Sequence, residues 1–328
     1  MNQTKTLEIV GPTPPPYGGV STHIFRIKEH LKEANITFQL INQYRKTTSN
    51  IYNPRWILSL FTSKKKLHIH IFSHYLYPIL WLTKKINKNL DIIITIHNER
   101  LNNSKHQRIL FYFIQNTNYY KIISVSKNIS DALSQSNISA TYLPAYVPPT
   151  PPTATQSIIN KRYKFHTCFN IWSFYENSIQ DYGIDFLTEL AARNPDHGFY
   201  LFLGNNKTED RATEWLKSQP SNLFLIVGQD LTAQLPAFDI FLRLNRLDAY
   251  GISIQEALDL DVLAIATNVC TRPTGAMLVQ AELEDIASNY SRISSMETSQ
   301  RKELARSRRT TPEFHIDLIK IYQDFVKA

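Results

Sequence analysis

The stretch that decides the fold is residues 240–266, which read IFLRLNRLDAYGISIQEALDLDVLAIA. It begins with a short apolar segment at 240–242 and ends with a second one at 262–266, and Gly251 opens a helical stretch between them. Two short apolar strands joined by one helix predict a βαβ unit, whose strands are parallel and whose helix covers the sheet. The stretch therefore favours an α/β fold.

The same alternation continues along the chain. Helical stretches, one of them with Ile24, Ile27 and Leu31 at helical spacing, separate further short apolar segments. We therefore expect an α/β architecture of two similar, Rossmann-like doubly wound domains with a cleft between them. The other predicted strands are 7–10, 37–41, 67–72, 91–96, 121–125, 168–172, 199–203 and 223–227.

Length and composition suggest where the domains end. A chain of 328 residues is long enough for two domains at roughly 100–200 residues each. A stretch rich in Pro, Thr and Ser, at 144–157, is typical of a connector. We predict an N-terminal domain at 1–150, a linker at 151–157 and a C-terminal domain at 158–312. A terminal helix follows at 313–328, and packing against the N-terminal domain is one arrangement for it.

Composition excludes several classes of protein. An apolar fraction of 43% with 12% aromatic residues excludes global disorder. The longest apolar stretch, Tyr75–Leu82, is too short to span a bilayer, and no signal peptide is readable at the N-terminus. Two cysteines form neither a disulfide framework nor a metal-binding spacing. We expect a cytoplasmic protein, which could lie peripherally on the inner face of the plasma membrane.

Charge is unevenly distributed. Residues 1–150 hold 18 Lys and Arg against 6 Asp and Glu, whereas residues 151–328 hold 18 against 22. The basic half suggests an anionic partner, with general solubility as the alternative. Segments 55–66 and 108–114 set aromatic residues beside basic ones, which suits either an interfacial helix on anionic lipid or a core-packed helix with a solvated end. No nucleic-acid motif accompanies the charge, so we expect no nucleic-acid partner.

Two loops after predicted N-terminal strands carry candidate site residues. Gly18 and Gly19 stand at a helix start, where they either let a ligand approach the backbone or simply turn the chain. His97 ends a strand and could donate to a substrate oxygen or be structural. Residues 68–74 contain three histidines with no Cys or carboxylate among them, so we predict no metal site there.

The loop after residues 240–242 carries the most chemistry. Gly251 opens the helix, and the backbone amides of 251–253 could hold a phosphate at its N-terminus. Asp248 and Glu256 flank that point and could accept hydrogen bonds from sugar hydroxyls. A capped helix with solvated charges is the alternative. The guanidinium groups available for phosphate charge belong to Arg243 and Arg246.

Together these loops resemble the retaining glycosyltransferases of family 4, which have the GT-B fold. PPPYGGVSTHI resembles the opening Gly-Gly loop, TIHNE and SVSKNISDAL resemble later strand ends, and YLPAYVP resembles the stretch before the linker. DAYGISIQEAL resembles the E-x7-E motif, with Asp248 and Glu256 in its acidic places. Arg272-Pro273 is similar to a subgroup of bacterial surface-polysaccharide enzymes. The resemblance covers about residues 7 to 280.

The resemblance implies transfer of a sugar from a nucleotide-diphosphate donor to an acceptor, with retention and without a metal or cofactor. It implies that Glu256 binds the donor ribose, that Asp248 and His97 contact the transferred sugar, and that the leaving phosphate helps to deprotonate the acceptor. The groups that it places on the diphosphate are the amides of Gly251, Ile252 and Ser253, and it implies that Gly18 and Gly19 approach either the phosphate or the acceptor.

The sequence also departs from the family. Tyr182 stands where a Lys is expected, Asp248 is one methylene shorter than Glu, and Asp261 and Leu263 replace a Gly and a Pro. The Arg and Lys that usually grip the diphosphate are not evident in the sequence. Phosphate neutralisation could instead fall to Arg243, Arg246 or Arg272.

The leading hypothesis is synthesis of a bacterial capsule, exopolysaccharide or O-antigen on a polyprenyl-diphosphate-linked glycan at an anionic membrane surface. One alternative is a degenerate, non-catalytic GT-B scaffold that binds a sugar or a partner glycosyltransferase. A nucleotide-sugar epimerase on the same fold is another alternative.

Overall fold

The structure is a computed structural model in which two compact units are described. The first unit combines residues 1–14, 20–147 and 313–328, and the second combines 15–19 and 148–312. The predicted linker at 151–157 lies outside the described residues. The residues that the structure describes are 6–14, 18–43, 50–70, 76–97, 105–149, 158–310 and 312–328.

The first unit is built on a six-stranded parallel sheet in the order β2-β1-β3-β4-β5-β6. Each strand pairs in parallel with its neighbour, as the predicted βαβ units require. The strands are β1 (Leu7–Gly11), β2 (Phe38–Asn42), β3 (Lys65–Ile69), β4 (Leu90–Ile96), β5 (Lys121–Ser124) and β6 (Thr141–Tyr142).

Helices cover both faces of this sheet, because successive residues of a buried strand point to opposite faces. In β4, Ile93 packs on one face while Ile92 and Ile94 pack on the other. The helices are α1 (Gly19–Glu33), α2 (Pro54–Thr62), α3 (Leu76–Ile86), α4 (Lys105–Gln115), α5 (Lys127–Gln135) and the terminal helix of the chain (Phe314–Lys327).

The terminal helix packs on the first unit. Its apolar face presents Leu318, Tyr322 and Phe325, which are buried together with Leu7 and Ile9 of β1. The spacing of four and then three residues places these side chains on one stripe of the helix. The last segment of the chain therefore completes the core of the first unit, beside α1.

The second unit has its own six-stranded parallel sheet, in the order β12-β11-β10-β7-β8-β9. Its strands are β7 (Phe165–Ile171), β8 (His197–Leu203), β9 (Leu223–Val227), β10 (Ile240–Arg243), β11 (Leu263–Thr267) and β12 (Met277–Val279). Its helices are α6 (Ser178–Asp181), α7 (Ile184–Arg193), α8 (Glu209–Leu216), α9 (Leu231–Gln234), α10 (Ile252–Asp259), α11 (Leu283–Ser294) and α12 (Thr298–Arg308), so that the terminal helix is α13.

Helix α2, within the segment 55–66, packs one face on the core, and the lysines that follow it are not all solvated. Trp56 and Leu60 of α2 are buried in the core, and the Trp56 indole donates to Glu8 Oε2 at 2.8 Å. The core-packed alternative describes this face of the helix, because its aromatic residue has a buried hydrogen-bond partner, while Leu58 on the same helix is 66% exposed.

The lysines that follow α2 do not form the solvated helix end that the sequence suggested. Strand β3 begins at Lys65, so Lys65 and Lys66 belong to the sheet. Lys65 pairs with Glu8, and Lys66 pairs with Asp91 Oδ2 at 2.6 Å with its side chain only 3% exposed. Two of the three lysines therefore have partners inside the unit rather than at a lipid surface.

Candidate functional site

The loop from β10 to α10 lies at the carboxyl end of the second sheet. Strand β10 is flanked by β7 and β11, and all three run parallel, so the residues that follow them meet at one edge. This is the edge at which open α/β sheets bind ligands. Four residues of the predicted site, Arg243, Asp248, Gly251 and Arg272, come together here.

Gly251 starts α10 in a conformation that favours glycine. Its φ is 74°, in the left-handed region, and a Cβ there would lie 3.0 Å from Arg272 Nη1 and 2.8 Å from Ile254 Cδ1. Within the described residues no side chain caps this helix start. The first amides of α10, including those of Ile252 and Ser253, therefore lack a side-chain cap, and the helix dipole favours an anion beside them.

Asp248 is the electrostatic centre of the site. Arg243 donates to it with Nε and Nη2, both at 2.8 Å, and Arg272 donates from Nη1 at 2.5 Å. Burial alone would raise the pKa of the Asp248 carboxyl, but the two guanidinium groups outweigh it and hold that pKa well below its usual range. Asp248 is therefore an ionised carboxylate that binds two cations.

The two arginines also have other partners. Arg243 Nη1 donates to Asn170 Oδ1 at 3.1 Å, and Arg272 donates to the Thr267 carbonyl oxygen from Nε at 2.8 Å and to Thr267 Oγ1 from Nη2 at 3.2 Å. These contacts place the guanidinium groups firmly beside the start of α10. These contacts also use most of the N–H donors of the two arginines, for which the sequence predicted contacts to phosphate.

Arg246 lies apart from this cluster. Its guanidinium group pairs with both oxygens of Asp185, donates to the Gln180 carbonyl and stacks over the Phe186 ring, 4.0 Å from its centroid. The structure therefore places Arg246 against the α6–α7 segment, near Tyr182, the residue that stands in the position of the expected Lys. A role for Arg246 on the diphosphate stays a prediction.

Glu256 lies one turn further along α10. It is 4% exposed, and Oε2 accepts a hydrogen bond from Thr232 Oγ1 at 3.3 Å. Ser253, on the first turn of the same helix, has its hydroxyl 3.4 Å from Asn170 Oδ1. The carboxylate of Glu256 is thus held by a partner on α9 rather than solvated, against the charged-surface alternative.

His97 belongs to the first unit, where it follows directly on β4. Its Nε2 lies 2.9 Å from Nδ1 of His70, at the end of β3. Burial, together with the neighbouring His23, lowers the pKa of His97 to about 3. His97 is therefore a neutral ring at neutral pH, able to donate one hydrogen bond and accept another.

Gly18 and Gly19 belong to the second unit by their contacts. A Cβ on Gly18 would lie 2.7 Å from the Trp172 ring, so this position accepts only glycine without a shift. At Gly19 a Cβ would meet Ile252 at 3.6 Å, an ordinary contact.

Sequence reasoning did not identify four partners of the site residues. Each has a polar side chain that hydrogen-bonds to a site residue, and the two partners lie between 5 and 73 positions apart in the chain. Two of them, Asn170 and Thr267, stand at the ends of strands that flank β10, so the carboxyl-end rule could have indicated them. The four are Asn170, Asp185, Thr232 and Thr267.

Two kinds of feature are absent from the part of the chain that the structure describes. Among the described residues, no three or more His, Cys, Asp or Glu side chains are grouped to hold a metal ion. His74, which the sequence places near His68 and His70, is outside the described residues. No described helix has both the length and the apolar character that crossing a bilayer requires.

Known proteins resemble this chain in structure alone. No protein-family profile and no curated protein sequence matches the chain. HepE of Anabaena, solved in complex with UDP and glucose, aligns with a TM-score of 0.69 and 11% identity over 97% of this chain and 100% of that one. Sucrose-phosphate synthase of Thermosynechococcus elongatus aligns with a TM-score of 0.71 and 11% identity over 98% of each chain.

A further match is WaaG, described as a glycosyltransferase involved in lipopolysaccharide biosynthesis. It aligns with a TM-score of 0.64 and 12% identity over 98% of this chain and 99% of that one. The two parallel six-stranded sheets with flanking helices, together with these likenesses, identify the fold as GT-B. The fold class predicted from the sequence is confirmed.

Proposed function

We propose that this protein is a glycosyltransferase that moves a sugar from a nucleotide-diphosphate donor to an acceptor. The observation that carries the proposal is the start of α10. Amides without a described side-chain cap lie there beside an ionised carboxylate and two guanidinium groups, at the carboxyl end of a parallel sheet. The GT-B fold shared with HepE, which was solved with UDP and glucose, supports it.

In this proposal each part of the site has one role. The amides from Gly251 to Ser253 hold the diphosphate, and Glu256 binds the donor ribose. Arg243 and Arg272 add positive charge, because two guanidinium groups face the single carboxylate of Asp248. Asp248 and His97 contact the transferred sugar.

The finer chemistry follows the family that the motifs resemble. We propose transfer with retention of the anomeric configuration and without a metal ion. The leaving phosphate then helps to deprotonate the acceptor, so the site needs no separate protein base. The acceptor we propose is a polyprenyl-diphosphate-linked glycan of a bacterial surface polysaccharide.

We also propose that the first unit lies on an anionic membrane surface, through α2, α3 and α4. These neighbouring helices expose large apolar side chains, and the segment 54–90 contains no acidic residue at all. Exposed basic residues on or beside the same helices include Arg55, Lys85, Lys88 and Arg108. We call the exposed apolar set the α2–α4 surface: Leu58, Leu82, Ile86, Ile109 and Tyr112.

A non-catalytic scaffold is the second candidate. It is favoured by the ion pairs that hold Arg243, Arg272 and Arg246 within the protein, and by Tyr182 in the place of a Lys. A scaffold would bind a sugar or a partner enzyme and release no nucleotide.

One experiment separates the two candidates. A panel of nucleotide sugars is first screened for thermal stabilisation of the protein, because a ligand that binds the native state raises its apparent stability. The stabilising donors are then incubated with the protein, and nucleotide release is measured with and without membrane lipid extract. Donor-dependent release supports the glycosyltransferase, whereas binding without release at any donor contradicts it and supports the scaffold.

A further inference from the structure

Asn170 stands at the carboxyl end of β7, on the face of the second sheet that α10 covers. Cys168, two residues earlier on the strand, packs in one buried cluster with Ile254 and Leu258 of α10. Residues two apart on a strand share a face, so the Asn170 side chain also lies on the α10 side. It reaches the first turn of that helix, where the Ser253 hydroxyl is 3.4 Å from Asn170 Oδ1.

The orientation of the Asn170 carboxamide is fixed by its partners. A guanidinium group only donates hydrogen bonds, so the atom that lies 3.1 Å from Arg243 Nη1 must be the carbonyl oxygen, Oδ1. The Ser253 hydroxyl donates to the same oxygen. The oxygen and the nitrogen of the carboxamide therefore cannot be exchanged, and both acceptor positions of Oδ1 are used.

The amide nitrogen of Asn170 has no hydrogen-bond partner among the described residues. Nδ2 carries two N–H donors and accepts no hydrogen bond. The side chain is only partly buried, so water can bind these donors in the free protein and a ligand oxygen can replace that water. Two N–H donors that no described residue binds therefore lie beside the first turn of α10.

The surroundings of these donors favour an anion. The first amides of α10 have no described side-chain cap, and the helix start attracts negative charge. The guanidinium groups of Arg243 and Arg272 face the single carboxylate of Asp248, which leaves a net positive charge. A donor-only group in this place suits an oxygen that carries negative charge, as the oxygens of a phosphate do.

We infer that Asn170 binds the diphosphate of the donor, with Nδ2 donating to a phosphate oxygen that lies at the start of α10. The inference rests on the proposed function, because it adds a residue to the same diphosphate site. Asn170 then has two roles in that site. Its nitrogen supplies uncharged donors to the phosphate, and its oxygen holds Arg243 beside α10.

Two substitutions separate contact with the phosphate from support of Arg243. Asn170→Asp keeps an oxygen for Arg243 and Ser253 but replaces the NH2 group with a second oxygen, which cannot donate when ionised. Asn170→Leu removes both polar groups without adding charge. We expect both variants to bind a nucleoside diphosphate about 10- to 100-fold more weakly. If Asn170 acted only through Arg243, Asn170→Asp would keep the affinity of the wild type.

Three ligands locate the contact. Isothermal titration calorimetry compares uridine, UDP and UDP-glucose, and in parallel adenosine, ADP and ADP-glucose. We expect Asn170→Leu to lose affinity for the diphosphate and the nucleotide sugar alike and to keep the affinity for the nucleoside, which has no phosphate. A loss confined to the nucleotide sugar would place Asn170 on the sugar and overturn the inference.

A matched variant controls for charge. Asn206→Asp adds the same charge as Asn170→Asp at an exposed position after β8, at the same edge of the sheet. It should leave the affinity for UDP and ADP unchanged, because solvent and salt screen an exposed charge. An equal loss of affinity in Asn206→Asp would show a general effect of charge and contradict the contact.

NMR gives a direct readout on the wild type. Protein labelled with 15N-asparagine shows the side-chain NH2 signals, and those of Asn170 are assigned by their loss in Asn170→Asp. Addition of UDP or ADP should move the Asn170 signals downfield, because an N–H that donates to phosphate forms a charge-assisted hydrogen bond. Unchanged Asn170 signals in protein saturated with the nucleoside diphosphate overturn the inference.

The outcomes also separate the inference from the proposed function. A wild-type protein that binds a nucleoside diphosphate through Asn170 but releases no nucleotide from any donor contradicts the glycosyltransferase and leaves the inference intact. Turnover by the wild type, with unchanged diphosphate affinity in both Asn170 variants, contradicts the inference alone. A wild type that binds no nucleoside diphosphate and no inorganic pyrophosphate contradicts both.

Discussion

Arg272 donates from Nη1 to Asp248 Oδ2, and Arg243 donates to both oxygens of the same carboxylate, from Nε to Oδ2 and from Nη2 to Oδ1. The side chains are 1% exposed for Arg272 and 8% exposed for Asp248, so little water screens the pair. One carboxylate between two guanidinium groups leaves a net positive charge beside the start of α10. In the proposed function that excess, rather than a free arginine, would attract the phosphate of the donor.

The stability of this cluster should depend more on its carboxylate than on either arginine alone. Asp248→Asn leaves two buried cations without a counter-charge and should lower the free energy of unfolding by about 3–5 kcal/mol. Arg272→Met leaves Asp248 with its bidentate Arg243 partner and should cost less. Urea denaturation of both variants measures the difference.

The double variant provides the check on this cluster. Asp248→Asn with Arg272→Met should be less destabilising than the two single effects combined, because the residues share one network. Arg246→Met is the matched control, since its partly exposed pair with Asp185 should contribute at most about 1 kcal/mol. Strictly additive effects would contradict a coupled cluster.

Glu256 should matter for nucleotide binding. Glu256→Gln keeps the side-chain shape and a carbonyl that can accept from Thr232, but it removes the charge that a ribose hydroxyl would meet. We expect about 10-fold weaker binding of the stabilising nucleotide sugar, equivalent to about 1.4 kcal/mol, by isothermal titration calorimetry. Glu303→Gln, on the exposed surface of α12, is the control. Equal affinities in the two variants would exclude Glu256 from the binding site.

Much of the fold was predictable because buried parallel strands appear in the sequence as apolar runs. Strand β4, with Leu90 and Ile96 at its ends, is such a run, and so is β8 from His197. Strands β6 and β12 were missed, because two and three residues are too short to show a period. The assignment of Lys65 and Lys66 to a solvated helix end failed because their partners, Glu8 and Asp91, are distant in sequence.

The candidate site was predictable only in part, and for a similar reason. The left-handed residue at the start of α10 is indicated by the glycine itself, Gly251. The hydrogen bond between His68 and Tyr322 joins residues 254 positions apart, so local patterns hold no signal for it. The arginine–carboxylate cluster likewise needs the fold to bring β10 and the segment after β11 together.

The α2–α4 surface should bind anionic lipid. Changing Leu58, Leu82 and Tyr112 to Ser removes exposed apolar area from three neighbouring helices, and these residues are 66%, 46% and 54% exposed. We expect several-fold less protein to sediment with vesicles that contain phosphatidylglycerol, because interfacial binding scales with buried apolar area.

Two controls accompany the vesicle experiment. Phe25→Ser changes a 52% exposed side chain on α1, which covers the opposite face of the sheet, and should not reduce sedimentation. Raising the salt concentration should release the wild type, since the attraction of exposed Arg and Lys to anionic lipid is screened. If the triple change leaves sedimentation unaltered, the α2–α4 surface does not bind the lipid.

Four histidines of the first unit predict how stability varies with pH. Burial lowers the pKa of His23 to about 4 and that of His97 to about 3, and it lowers the pKa values of His68 and His70 well below the usual value. An unfolded histidine titrates near 6.5, so below that pH the unfolded chain binds protons that the folded chain excludes. Stability is therefore highest above about pH 7 and falls as the pH decreases from 6.5 towards 4.

Each such histidine contributes a slope of up to about 1.4 kcal/mol per pH unit in this window, before most carboxylates titrate. In His23→Asn the amide can still donate to the Ala145 carbonyl that His23 Nδ1 contacts at 3.0 Å, but it has no proton to gain. The dependence of the free energy of unfolding on pH between 5 and 7, from urea denaturation, should therefore be shallower in this variant. His30→Asn, at a partly exposed ring, is the control, and an equal slope in His23→Asn and the wild type would show that His23 is not buried as a neutral group.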